Sequence, residues 1–187
     1  MEAAGATLVH VEIPNRTAIL GNATSVFLRE WAFATEAYFA EHPGAPIDSL
    51  DDVLASGEYL PETRQQLQRA VGITTLDTAE YRRALEARIA AAAAVTDLLD
   101  EHGLDAFAYP SIQNTAAANG VQQQGNNCAT ASVSGLPAMS VPAGLDSTGM
   151  PVGLDLLGRA FEEGTLIRLA SGYEAAVDPR VEPPLAP

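Results

Sequence analysis

One stretch of the chain, residues 125–158, restricts the fold more than any other. Small residues just after Cys128 indicate a short helix that Gly135 ends. Two apolar runs follow, and the turn residues Asp146 and Gly149 separate them, which predicts a strand, a tight turn and a second strand. A hairpin of this kind needs helices over its faces and strands at its edges. The rest of the chain is expected to supply part of that cover.

The remaining sequence predicts further strands and several helices. Residues 6–13 are rich in β-branched residues and stop at Pro14, which predicts a strand, and residues 15–22 are interpreted as a connection. The other predicted elements are a helix over residues 24–41, a capped helix starting at Ser49, a segment over 61–72, the longest helix over 77–102, a strand over 104–109 and a last helix after Glu163. This order predicts an α/β fold with a mixed sheet, of about four strands, covered by helices.

The longest predicted helix has a regular apolar pattern. Its apolar positions, which predict one buried stripe, are Tyr81, Leu85, Ile89, Ala92, Val95 and Leu99. Length and composition agree with a globular chain, since 187 residues with 47% hydrophobic and 18% charged residues suffice for one domain. We expect a single α/β domain over residues 1–176 and a Pro-rich irregular tail over residues 177–187.

The charge balance argues against a surface that binds nucleic acid. The net charge is −14 at pH 7, and all ten basic residues are arginine. Phosphate contacts need clustered cations, so no nucleic-acid partner is expected. The single cysteine cannot form an internal disulfide. No apolar run approaches the roughly 18 residues of a spanning helix, and no signal-peptide pattern opens the chain. We therefore expect a cytoplasmic protein without a membrane partner.

Several short motifs occur together in a fixed order in the second half of the chain. They are Leu104-Asp105-Ala106 leading to Pro110, Ser134-Gly135-Leu136-Pro137-Ala138, Ser140-Val141-Pro142-Ala143-Gly144, Gly149-Met150-Pro151-Val152-Gly153-Leu154, Leu157-Gly158-Arg159 and Tyr173-Glu174. In this order and spacing they resemble the C-terminal part of the amidase signature family, whose members hydrolyse amides. Residues 4–14 are similar to the strand that follows the catalytic half in that family.

The resemblance implies a partial α/β/α sandwich, because the family fold is a mixed sheet between helices. It also implies hydrolysis by a Ser–cis-Ser–Lys triad, in which the lysine removes a proton through the middle serine and the other serine attacks the carbonyl. The 187 residues contain no lysine and no Gly-Gly-Ser-Ser-Gly-Gly stretch. We therefore assign no catalytic residue to this sequence, and we expect that the catalytic half would lie before Met1.

A separate active site within the chain would have to combine Cys128 with His10, His42 or His102. A cysteine nucleophile needs a base within hydrogen-bond reach, whereas a lone cysteine among small residues is more often a buried packing residue. His42 and His102 are better explained as partners of helix C-termini. The histidines show no ligand spacing, so neither a metal nor a cofactor is expected.

Serines and glycines of the second half are interpreted as structural. The serines, read as small packing residues, are Ser132, Ser134 and Ser140. The glycines, read as residues that backbone geometry requires, are Gly135, Gly144, Gly149 and Gly153.

The polar loop over residues 111–128 is the predicted binding element. It follows a strand end, where α/β sheets tend to place ligand sites. The resemblance implies that this region helps to line a substrate pocket, with Gln113, Asn126, Asn127 and Cys128 as candidate substrate-binding residues. A polar surface loop remains the alternative.

Two functions follow from the sequence. The first is a C-terminal segment of an amidase-type hydrolase acting on carbon–nitrogen amide bonds, inactive alone and contributing fold and a pocket wall. The alternative is a non-catalytic α/β module for binding or assembly. Exposed sheet edges and apolar helix faces are expected in either case, so the partner would be a second copy of this chain or a chain that supplies the catalytic half. A small amide is the expected substrate only of the completed enzyme.

Overall fold

A computed structural model describes residues 1–178 and 180–182. The helices are α1 (Arg16–Glu41), α2 (Leu50–Ser56), α3 (Arg64–Val71), α4 (Ala79–Glu101), α5 (Ala129–Ser134) and α6 (Glu163–Val177). The strands are β1 (Phe107–Pro110), β2 (Ala138–Leu145) and β3 (Pro151–Leu157), and single 3₁₀ turns occupy Glu2–Ala4 and Pro61–Thr63. The predicted α/β class, with a hairpin preceded by a short helix, is confirmed.

The sheet has three strands in the order β1-β3-β2. Leu157 lies opposite Phe107 on one side and Ala138 on the other, and both ladders are antiparallel. The prediction specified a mixed sheet, but every pairing among the described strands is antiparallel. β3 is central because its residues pair on both sides, which leaves the outer edges of β1 and β2 unpaired within the described chain.

Helices cover both faces of this sheet. On one face, Val141 and Leu156 form a buried cluster with Leu166 and Ala170 of α6. On the other face, Leu157 is fully buried against Val95 and Leu99 of α4. Neighbouring residues of a strand point to opposite faces, so Leu156 and Leu157 contribute to different clusters. The result is a helix–sheet–helix sandwich.

The chain divides into two compact units. The first contains Met1–Arg16 and the residues from Ile89 onward, and therefore the whole sheet. The second, Thr17–Arg88, has its own core of Ala32, Leu50, Leu67 and Ala70, and Ser49 caps α2 by accepting a hydrogen bond from the Asp52 backbone N–H. A single domain over residues 1–176 stays a prediction. Residues 179 and 183–187 of the predicted tail lie outside the described residues.

Two predictions near the N-terminus are wrong. Residues 6–13 run without helix, turn or bend, but they pair with no strand among the described residues. Residues 16–22, expected to be a connection, belong to α1. Gly21 and Asn22 have low helix propensity, yet Ala23 and Val26 are each only 1% exposed, and burial of one helix face outweighs local preference.

The apolar stripe predicted for α4 is only half buried. Val95 and Leu99 are in the core, whereas Ile89 is 72% exposed. Burial in the first part of α4 falls instead on the small residues Ala84 and Ala91. The predicted stripe consists mostly of large side chains, whereas alanines allow the closest approach of other elements.

None of the helices in the described part of the chain combines the length and the apolar character that crossing a bilayer requires.

Candidate functional site

The polar loop closes on itself at the end of β1. The Ser111 backbone N–H donates to the Gly153 carbonyl of β3, and the Asn127 N–H donates to the Ser111 carbonyl. One step further along the loop, the Gln113 N–H donates to the Gly125 carbonyl. Gly125 has φ +72°, a backbone conformation that favours glycine. These bonds hold both ends of the loop beside the sheet.

Asn127 is the central residue of this region. Its side chain is 5% exposed and uses both polar atoms. Oδ1 accepts from Arg16 Nη2 at 3.0 Å and from Gln113 Nε2 at 3.1 Å, and Nδ2 donates to the Pro110 carbonyl at 2.7 Å. Arg16 Nη2 also donates to the buried Thr130 Oγ1 at 2.8 Å. We call Arg16, Gln113, Asn127 and Thr130 the polar corner.

A buried carboxylate supports the loop from the sheet. Asp155 of β3 is 9% exposed, and its Oδ1 accepts hydrogen bonds from the hydroxyls of Ser111 and of Ser140, the latter at 2.6 Å. A Cβ on Gly153 would lie 2.7 Å from Ser111 Oγ. Gly153 is therefore required for close approach, rather than for the positive φ that Gly149 has. Ser140, read as a packing residue, is a hydrogen-bond donor.

Tyr109 of β1 carries a buried hydroxyl that makes no hydrogen bond in the structure. Burial, with a further contribution from the nearby negative charge of Asp155, raises the pKa of Tyr109 to about 12. The phenol therefore stays protonated at neutral pH and cannot act as a general base there.

A cavity of about 1000 Å³ opens beside these residues. Residues 7–13 form one wall, β1 forms another, and the polar corner lies at the end where Tyr109 and Pro110 finish the strand. The lining residues are mostly apolar, with a smaller number of polar side chains among them, as in many ligand sites.

The structure brings together only part of the predicted substrate site. Gln113 and Asn127 both line the cavity and are hydrogen-bonded to each other. Asn126 and Cys128 are not among its lining residues. The Asn126 side chain instead accepts from the Cys128 backbone N–H at 2.6 Å. A substrate-binding role for the four residues stays a prediction.

Among the described residues, Cys128 is neither buried nor hydrogen-bonded to a histidine. It is exposed, so the interpretation as a buried packing residue is wrong. No hydrogen bond joins it to a histidine in residues 1–178 and 180–182, and His42 bonds to the Tyr38 carbonyl at 2.8 Å instead. The same residues contain no group of three His, Cys, Asp or Glu side chains placed to hold a metal ion.

Sequence reasoning missed Arg16, Thr130 and Asp155. Arg16 lies in a stretch read as a connection, and its partner Asn127 is 111 residues further along the chain. Asp155 did carry a signal, because an acid within the apolar run from Leu154 to Leu157 must be either exposed or hydrogen-bonded.

Comparisons with known proteins agree on one family. The family model described as Amidase matches residues 1–167. A glutamyl-tRNA(Gln) amidotransferase subunit from Methylocella silvestris is 27% identical over 205 residues, which cover 97% of this chain and 40% of the relative.

Solved structures with a similar fold include two amidases. The native peptide amidase from Stenotrophomonas maltophilia is 32% identical, with a TM-score of 0.82 over 97% of this chain and 38% of that enzyme. An amidase family protein from Bacillus anthracis, 23% identical with a TM-score of 0.77, shares the fold. The chain therefore spans about two-fifths of the length of these relatives.

Proposed function

This chain belongs to the amidase family, and from that premise we propose that it forms one wall of the substrate pocket of an amidase-type hydrolase acting on carbon–nitrogen amide bonds. The observation that carries the proposal is that all four residues of the polar corner line the cavity of about 1000 Å³. It presents amide and guanidinium groups, and the nearby carboxylate of Asp155 is occupied by serine hydroxyls. Such a wall suits a neutral, polar amide.

Within the polar corner the residues have different roles. Gln113 is exposed and holds Asn127 through one N–H, so its carbonyl oxygen is available to accept from a substrate N–H. Asn127 is a positioning residue, because its two polar atoms are already used by Arg16, Gln113 and Pro110. Arg16 fixes Asn127 from the other side.

In this proposal, the nucleophile and its base come from residues outside the polar corner. The 187 residues contain no lysine, and the buried Tyr109 stays protonated. We infer that a Ser–cis-Ser–Lys half completes the enzyme and that this chain alone does not hydrolyse amides. The alternative, a non-catalytic α/β module for binding or assembly, is favoured by the same lack of a base.

The proposed partner is a polypeptide that supplies the rest of the amidase fold, and self-association is expected when that partner is absent. Large apolar side chains on the surface, such as Ile89 and Phe27 at 72% and 63% exposure, support both. The single cysteine, exposed and free, is consistent with a reducing compartment, so we place the chain in the cytoplasm.

The test is amide hydrolysis by the purified chain, alone and after addition of a lysine-containing, Gly-Ser-rich amidase half. We expect no turnover of simple aryl or aliphatic amides by the chain alone, and turnover in the mixture. Cys128→Ala is tested in the chain alone, where it tells whether any turnover depends on the cysteine. Turnover by the chain alone that Cys128→Ala abolishes would overturn the proposal, and an inactive mixture would favour the non-catalytic module.

A further inference from the structure

The polar loop has a small exposed turn near its middle. The Val121 N–H donates to the Ala118 carbonyl at 3.0 Å, which places Asn119 and Gly120 at the two central positions of the turn. Gly120 has φ +81°, which suits the third position of a type II turn. Both central residues are exposed, and a Cβ added to Gly120 would meet nothing within 4 Å. The turn is therefore open to solvent.

Asn119 and Gly120 both have unused polar groups. In the described part of the chain, neither the Asn119 carboxamide nor the Gly120 backbone N–H makes a hydrogen bond. Of the six asparagines in the sequence, only Asn119 precedes a glycine. Glycine has no Cβ to hinder approach to its own nitrogen. The carboxamide carbon of Asn119 thus lies next along the chain to an unhindered nitrogen, and neither group has a hydrogen bond to give up.

The two asparagines at the end of the loop are held differently. The backbone nitrogen that follows Asn126 is that of Asn127, and it donates to the Ser111 carbonyl at 3.1 Å. The backbone nitrogen that follows Asn127 is that of Cys128, and it donates to Asn126 Oδ1 at 2.6 Å. Attack by either nitrogen on the preceding carboxamide would first break one of these hydrogen bonds. Asn119 carries no such restraint.

We propose that Asn119 is a site of spontaneous deamidation, through a cyclic imide formed with Gly120. The Gly120 nitrogen attacks Cγ of Asn119 and forms a new C–N bond, while the bond from Cγ to Nδ2 breaks. Nδ2 leaves as ammonia with the proton that Gly120 gives up. Water then opens the imide. Cleavage between the nitrogen and Cγ gives aspartate, and cleavage between the nitrogen and the main-chain carbonyl carbon gives isoaspartate. The sum consumes water and releases ammonia.

The product carries an added negative charge on a part of the loop that does not hold its base. The bonds at the base are those from the Gln113 N–H to the Gly125 carbonyl and from the Ala117 N–H to Gln123 Oε1, the latter at 2.7 Å. Isoaspartate lengthens the main chain by a methylene group, which exposed loop tips tolerate. The chain should therefore keep its melting temperature as conversion proceeds. A fall in proportion to conversion overturns the placement of this site on an unrestrained turn.

The experiment incubates the purified chain at neutral pH and follows its peptides by mass spectrometry, with isoaspartate detected by enzymatic methylation. We expect Asn119 to be converted at least about tenfold faster than Asn126, because the nitrogen after Asn126 is hydrogen-bonded. Urea, which removes that hydrogen bond, should accelerate conversion of Asn126 more than that of Asn119. Equal rates at the two residues in the folded chain, or an Asn119 that reacts in urea but not in the folded chain, overturns the inference.

A matched pair of variants tests the attack by the main chain. Gly120→Ala keeps the carboxamide but places a Cβ beside the attacking nitrogen, so conversion of Asn119 should slow by at least about tenfold. Gln122→Ala changes an exposed neighbour and leaves both reacting groups in place, so conversion should continue at the wild-type rate. Equal rates in the two variants overturn the inference. Because the Cβ acts locally, the same difference should appear in urea, whatever Gly120→Ala does to the fold.

Discussion

Asn127 joins the start of α1, 111 residues away in sequence, to the segment around Pro110 and Gln113. Through one carboxamide it connects the start of α1, the polar loop and the end of β1. A buried amide with both atoms bonded is a strong local constraint, because loss of the side chain leaves its partners unsatisfied as well. The orientation of the polar corner therefore depends on this residue more than on the exposed residues around it.

Replacement of Asn127 by alanine should destabilise the chain by about 1–3 kcal/mol, because Gln113 and the Pro110 carbonyl lose their partner. Urea unfolding is the measurement. Asn126→Ala is the matched control, since Asn126 is exposed and, among the described residues, its side chain bonds only to the Cys128 backbone. Equal shifts of the two urea midpoints would contradict the central role of Asn127.

Among the individual residues of the site, the sequence allows only some to be predicted. Gln113 and Asn127 were predictable because polar amides in a loop after a strand end are a local pattern. The Arg16–Asn127 bond spans 111 residues, and no local pattern reports it. Cys128 was misread for the same reason, since its exposure depends on the direction in which the loop leaves the sheet.

Among the elements, the β2–β3 hairpin shows how much turn chemistry determines. Asp146 Oδ1 accepts from the Thr148 hydroxyl at 2.6 Å, the Thr148 N–H at 2.8 Å and the Met150 N–H at 3.0 Å. Gly149, with φ +83°, completes the turn. The hairpin was predictable because all these interactions lie within five residues. Residues 6–13 have strand composition too, but a strand also requires a paired neighbour, which composition does not report.

The turn predicts a defined dependence of stability on pH. The hydrogen bond from the Thr148 hydroxyl is the main cause that lowers the pKa of Asp146 from 3.8 to about 2. Because the folded pKa is the lower one, the contribution of Asp146 is complete above pH 3.8 and is lost as the pH falls toward 2. The melting temperature of the wild type should exceed that of Asp146→Asn above this window. The difference should shrink as the pH falls through it.

Asp97→Asn is the control for this measurement. Asp97 is an exposed carboxylate on α4 without a hydrogen bond to another described residue. This variant should follow the wild-type dependence on pH. If the difference between the wild type and Asp146→Asn is constant from pH 5 to pH 2, then the carboxylate does not stabilise the turn.

For the molecule as a whole, the exposed half of the α4 stripe predicts self-association. Ile89 and Leu85 are 72% and 38% exposed on one side of the helix, and burying such apolar area in a partner is favourable. Light scattering at micromolar concentration should report a dimer or a larger species. Ile89→Glu should shift the association equilibrium toward the monomer. Ala90→Glu places the same charge on the next exposed residue and should not shift it. A wild-type monomer at this concentration, or equal effects of the two substitutions, would show that this surface does not join copies of the chain.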